Sequence, residues 1–148
     1  MGNDYDILRL ENQLCFLLYA CSKEVIKLYR PYLDKLNLTY TQYITMMVLW
    51  QEERTKVKDL GERIYLDSGT LTPVLKSLEA KGYVKRYRYA KDERVLLVEA
   101  TETGKALRAS ANDIPEALKC CVKCDDNEAM HFYKTLYKIL DFIKENSK

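Results

Sequence analysis

Between residues 6 and 30, apolar side chains recur at Leu10, Leu14, Leu17, Leu18, Cys21, Val25 and Leu28. Steps of three and four place them on one face of a helix. Pro31 has no N–H to continue the helix, so a break is expected there, with a short second helix over 31–36. "NLTYTQYITMMVLWQEE" reads as a buried helix. Thr39 or Thr41 is its N-cap, and Ile44, Met47, Val48 and Trp50 are its core positions. Val57, Leu60 and Ile64 mark a short helix, and "YLDSG" is a turn capped by Asp67 or Ser68. A second helix follows over 70–81, with Pro73 in its first turn and Gly82 as its C′ residue.

The period then changes. In "YVKRYRYAKDERVLLVEAT", Tyr83, Lys85, Tyr87 and Tyr89 share one parity, and Val84, Arg86 and Arg88 the other. This predicts a two-stranded hairpin with a polar tip at "AKDE". The rest is helical, with Thr101 as a cap and Pro115 dividing the run beside Asp113. Asp125 or Asp126 starts a last amphipathic helix bearing Phe132, Leu136, Ile139, Leu140 and Ile143. The predicted class is mainly α with a small β-hairpin wing, a winged helix-turn-helix.

Composition narrows the picture. The 148 residues fit one domain with a real core. The net charge of +2 demands no nucleic-acid partner, so any basic footprint must be local. Residues 76–94 hold seven basic groups against three acidic ones, a local excess of +4. A charged hairpin is often only a solvated surface. Here it follows a helix-turn-helix, which points to DNA.

The recognition helix spans Ser68 to Lys81. Its small polar start, Ser68, Gly69, Thr70 and Thr72, suits a major groove, and Lys76 suits the phosphate backbone. Arg86 and Arg88 add charge along the wing. Arg94, braced by Asp92, suits a narrow minor groove. One histidine, no Gly-rich phosphate loop and no nucleophile elbow argue against an enzyme. The N-terminus resembles no signal or transit peptide and lacks the myristoylation pattern. No apolar run approaches the roughly 18 residues of a membrane span. A cytoplasmic address is expected, where cysteines stay reduced unless they bind metal or do redox chemistry. The chain nevertheless has five, at Cys15, Cys21 and in "KCCVKC".

The stretch "VKDLGERIYLDSGTLTPVLKSLEAKGYVKRYRYAKDERVLLVEATETGKAL" resembles the DNA-binding lobe of the MarR family of bacterial regulators. "KDERV" at the wing tip and "TETG" beyond it are typical. More narrowly, "LCFLLYACSKEV", Tyr29-Arg30-Pro31-Tyr32-Leu33, "LTYTQY" and "YLDSGTLTPVLK" resemble the organic hydroperoxide resistance regulators. The similarity spans nearly the whole chain. It implies one MarR-like domain, with about 1–36 and 101–148 as dimerisation helices and about 37–100 as the DNA-binding lobe. It implies a homodimer on a palindromic double-stranded operator, a repressor that leaves DNA when oxidised by an organic hydroperoxide. No cofactor is implied.

The same resemblance makes Cys15 the sensor thiol, with Tyr29 and Tyr40 of the partner subunit hydrogen-bonding its sulfur. Phenolic O–H donors favour a thiolate, and Phe16, Leu18 and Tyr19 would accept the organic part of the peroxide. On residue type alone, Cys15 would read as a small buried hydrophobe, and Cys21 as packing. In some members a second cysteine resolves the oxidised sensor. Cys120 is nearest the expected place, with Cys121 and Cys124 as alternates, and Cys120 and Cys124 share a helical face at i, i+4. Zinc at "KCCVKC" with His131 ranks lower, because CxxC alone is a weak signal. The remaining alternative is a MarR-type regulator controlled by a phenolic ligand or metal, with the cysteines uninvolved.

Overall fold

The computed structural model describes residues 6–119, 121 and 123–147. The chain forms two compact units, Met1–Ile114 and Pro115–Lys148. In the first, a 3-10 turn at Leu10–Asn12 leads into α1 (Leu14–Asp34), followed by α2 (Tyr40–Gln51), β1 (Thr55–Lys56), α3 (Val57–Arg63), α4 (Ser68–Ala80), β2 (Val84–Tyr89), β3 (Asp92–Ala100) and α5 (Glu102–Ala111). α6 (Ile114–Lys119) and α7 (Asp126–Asn146) complete the chain.

Local signals fix most boundaries. Thr39 caps α2 in a reciprocal box with Gln42, Asp67 caps α4 through the Thr70 amide, and Thr101 caps α5 through Gly104. α7 starts on a second box, Asp125 with Glu128. α4 begins at Ser68 rather than Thr70 and ends where Gly82 turns to φ 76°, a left-handed conformation that favours glycine.

Leu71, Leu75 and Leu78 line the inner face of α4 and are almost fully buried. They meet a core that includes Met46, Leu49, Leu60 and Val98. Leu33, Leu36 and Leu38 bury the corner between α1 and α2.

Four expectations change. α1 runs through Pro31 without a break, so there is no separate helix over 31–36. Pro31 removes one backbone bond, but it and Lys27 are exposed, and water can serve the freed carbonyl. The wing is a three-stranded antiparallel sheet, ordered β1-β3-β2, rather than a two-stranded hairpin. Thr55 pairs with Val98 and Lys56 with Leu97. The β2–β3 register runs from Val84 opposite Ala100 to Arg88 opposite Leu96, then shifts in a bulge at the tip.

The core face of α2 carries Tyr43, Met46, Val48 and Leu49, while Met47 is exposed. Cys21 is exposed within the single chain rather than packed in its core. α1 buries only Leu33, and no residue of α7 is buried, although Phe132, Tyr133, Tyr137, Phe142 and Ile143 are large and apolar. No helix among the described residues is long and apolar enough to cross a membrane.

Candidate functional site

α4 and the wing carry the polar groups expected to meet DNA. Ser68, Gly69 and Thr70 are exposed at the start of α4, and Lys76 is exposed two turns on. The Asp67 carboxylate accepts from the Thr70 amide at 2.8 Å, and the Thr72 hydroxyl donates to the Ser68 carbonyl at 2.7 Å. Thr72 thus bonds back to the first residue of the helix, one turn earlier.

At the wing tip Arg94 stands in solvent, with its side chain 90% exposed. Asp92 braces it from behind: Oδ1 accepts from Nε at 3.0 Å and Oδ2 from Nη2 at 3.1 Å. The Arg94 amide adds a bond to Oδ1 at 3.1 Å. The guanidinium holds the Asp92 carboxyl below its usual range, and the carboxylate raises Arg94 in turn. The fork thus restricts Arg94 while leaving its remaining donors outward.

Arg86 has a different environment. Its guanidinium binds Glu79 through Nη2 at 2.8 Å and Nε at 3.1 Å, and only 19% of its side chain is exposed. This pair ties α4 to β2. Lys85 pairs with Glu99 at 2.8 Å, and Glu99 also accepts from the Tyr87 hydroxyl at 2.9 Å. Sequence reasoning missed both pairs because each joins residues brought together only by the fold. Arg88 remains exposed on β2.

The second group is the thiol and the phenols. Cys15 is exposed in the first turn of α1. Leu14, 67% exposed, and Leu17 and Tyr19 are exposed large side chains in the same stretch of α1. Tyr29 and Tyr40 meet edge-on with ring centroids 5.0 Å apart. Tyr43, which sequence reasoning did not single out, lies 5.8 Å from Tyr29 and 6.3 Å from Tyr40. Its signal was the three-residue step from Tyr40. Trp50 extends the cluster, 6.4 Å from Tyr43.

Burial raises Tyr29, Tyr40 and Tyr43 above the usual phenol value, and their mutual proximity raises the latter two further. They hold their protons, which leaves each hydroxyl able to donate a hydrogen bond. Cys15 and Tyr29 lie on the same continuous helix, 14 residues apart. At 1.5 Å per residue they are about 21 Å apart. One chain therefore brings the tyrosines together but not the thiol to them.

Cys121 and Cys124 are exposed in the connection between α6 and α7. The Cys121 thiol lies 3.8 Å from the Ala117 carbonyl. Cys120 lies outside the described residues. Cys124 is not helical, so the shared i, i+4 face expected for it and Cys120 does not apply. Among the described residues, no group of three or more His, Cys, Asp or Glu side chains could hold a metal ion.

Residues 27–110 match the SarA/Rot family of transcriptional regulators. The chain is 45% identical over 147 residues to the organic hydroperoxide resistance transcriptional regulator of Bacillus subtilis, covering 99% of this chain and 100% of that protein. It superposes on reduced AbfR bound to DNA with TM-score 0.80 and 30% identity, covering 97% of this chain and 99% of that one. The disulfide-formed state of AbfR gives TM-score 0.62 at 32% identity, with coverage of 95% and 96%. A mutant Escherichia coli MarR complexed with operator DNA shares the fold, with TM-score 0.75 at 23% identity and coverage of 95% and 99%. The chain belongs to the MarR-type winged-helix transcriptional regulators, in the group of the organic hydroperoxide resistance regulators.

Proposed function

We propose that the protein is a cytoplasmic, dimeric repressor whose reduced form holds a palindromic operator and whose Cys15 releases it on oxidation by an organic hydroperoxide. The observation that carries this reading is the split sensor. An exposed thiol sits on the same helix as Tyr29, whose protonated pair with Tyr40 of α2 it cannot reach. A second copy of the chain supplies the missing half at each site. The exposed apolar residues on α1 and on α7 are the surfaces such a dimer covers.

The chemistry needs one oxidant, the hydroperoxide. The Cys15 thiolate attacks the terminal peroxide oxygen, so an S–O bond forms and the O–O bond breaks. Two electrons pass from sulfur to the peroxide, and the departing alkoxide takes a proton and leaves as an alcohol. The sulfenic acid then condenses with a second thiol, losing water to form a disulfide. Cys120 is the proposed second thiol, with Cys121 and Cys124 as alternates. The existence of a reduced, DNA-bound AbfR and a disulfide-formed AbfR supports this cycle.

The test is fluorescence anisotropy on an inverted-repeat duplex selected by the reduced protein from random-sequence DNA. Cumene hydroperoxide is expected to release the protein, and dithiothreitol to restore binding. Retention on DNA throughout the titration would sink the proposal.

On the DNA side, Ser68, Gly69, Thr70, Thr72 and Lys76 enter or flank the major groove, Arg88 meets phosphate and the Asp92–Arg94 fork reaches the minor groove. Arg94→Ala is expected to weaken operator binding by about 1–3 kcal/mol. Its target is exposed, so the melting temperature should stay unchanged. An unaltered dissociation constant would remove Arg94 from the interface.

A further inference from the structure

The corner between α1 and α2 is joined to the recognition helix by a compact polar cluster. Gln42 lies two residues after Tyr40, in the first turn of α2, and is only 5% exposed. Its side-chain oxygen accepts from the Thr39 amide at 3.0 Å and from the Lys81 ammonium at 2.8 Å. Its side-chain nitrogen donates to the Ser77 hydroxyl on α4 at 2.9 Å. Lys81 also donates to the Asn37 carbonyl at 2.7 Å. Asn37 has φ 55°, which turns the chain out of α1. Just beyond, the Tyr83 hydroxyl donates to the Leu36 carbonyl at 3.3 Å.

All four links between the corner and this region attach in the last turn of α4 or beyond it. The groove-facing end, Ser68, is 13 residues from Lys81. That is about 20 Å, so a tilt of roughly 10° at the anchored end moves the other by about 3 Å. The cluster therefore sits between the tyrosine pair and the long arm of the reading helix.

We propose that Gln42 and Lys81 are positioning residues that transmit displacement of Tyr40 to α4. The inference rests on the Cys15 reading above. While the tyrosines hold the reduced sulfur, the first turn of α2 is fixed and Gln42 clamps α4 in its DNA-reading pose. When oxidation withdraws the sulfur, Tyr40 and its helical turn shift, and Gln42 carries Ser77 and Lys81 with it. The two states then differ in how α4 is held, as coupling between sites requires.

The readout is the ratio of operator dissociation constants in oxidised and reduced protein, measured with the full chain and cumene hydroperoxide. Lys81→Met is expected to lower this ratio about fivefold or more. Gln42→Glu keeps acceptors for Thr39, Lys81 and Ser77 and is expected to hold the ratio within about twofold of wild type. A merely structural role would lower the melting temperature of Lys81→Met and leave its ratio intact, which overturns the proposal. If Lys81→Met does not fold, Ser77→Ala decides: a reduced ratio supports the link and an unchanged one refutes it. Cys15→Ser separates the two layers. If that variant is released by peroxide, the Cys15 reading fails and this inference falls with it. If it holds and Lys81→Met matches wild type, only this inference falls.

Discussion

Cys15→Ser protein is expected to stay on its operator at hydroperoxide doses that release the wild type. Serine keeps the size of the residue and removes the nucleophile, because a neutral hydroxyl does not attack a peroxide. The position is exposed in the first turn of α1 within one chain, so the fold of each chain is expected to lose less than about 0.5 kcal/mol. Reduced variant and reduced wild type should bind DNA alike. After oxidation the wild type should weaken by about 5–150-fold, the usual span of coupling between two sites, while the variant stays near unity. Equal release of both would place the switch elsewhere, in a cleft ligand or in the C-terminal thiols.

The second large effect concerns folding. Gly104→Ala is expected to destabilise the protein by about 3 kcal/mol or more. A Cβ built there would lie 2.0 Å from the Tyr83 carbonyl oxygen, 2.9 Å from its carbon and 3.2 Å from the Met46 methyl. Two of those three atoms are backbone and cannot swing aside. That carbonyl also accepts from the Thr101 amide at 3.0 Å, and the Gly104 carbonyl accepts from the Trp50 indole at 2.9 Å. Moving α5 away to relieve the clash would strain both bonds. At about 2–4 °C per kcal/mol for a chain of this size, the melting temperature should fall by about 6–12 °C or more. A shift under about 2 °C would mean that α5 yields more readily than its bonds suggest.

The parts of this fold that were legible in the sequence are those with local causes. Asp67, Leu71, Leu75, Leu78 and Gly82 spell a capped, amphipathic, terminated helix without reference to anything distant. β1 could not be read that way. Two residues have no period, and Thr55 and Lys56 become a strand only because β3 offers a partner. The inner face of α2 was displaced because "ITMMVLW" is apolar all round and carries no phase; packing alone selects Met46 over Met47. Pro31 misled because the rule against interior proline weighs one lost bond, while burial of Leu33 favours carrying the helix onward. The Asp92–Arg94 brace was legible from its two-residue spacing. The Arg86–Glu79 pair, across a helix, a turn and a strand, was not. Nothing local marks Cys15 as more than a small apolar residue; the role proposed for it rests on resemblance to a family.

α1 keeps Cys15 and Tyr29 a fixed distance apart, and that rigidity has a genetic consequence. On the proposed reading each sensing centre borrows its thiol from one polypeptide and its phenols from the other. Two different defects then need not add. A cell making both a Cys15→Ser chain and a chain with phenylalanine at 29 and 40 assembles some mixed pairs. Each mixed pair has one centre with both parts intact and one with neither. Two alleles that are each deaf to peroxide would partly restore each other's hearing, whereas two alleles damaged in the same half would not.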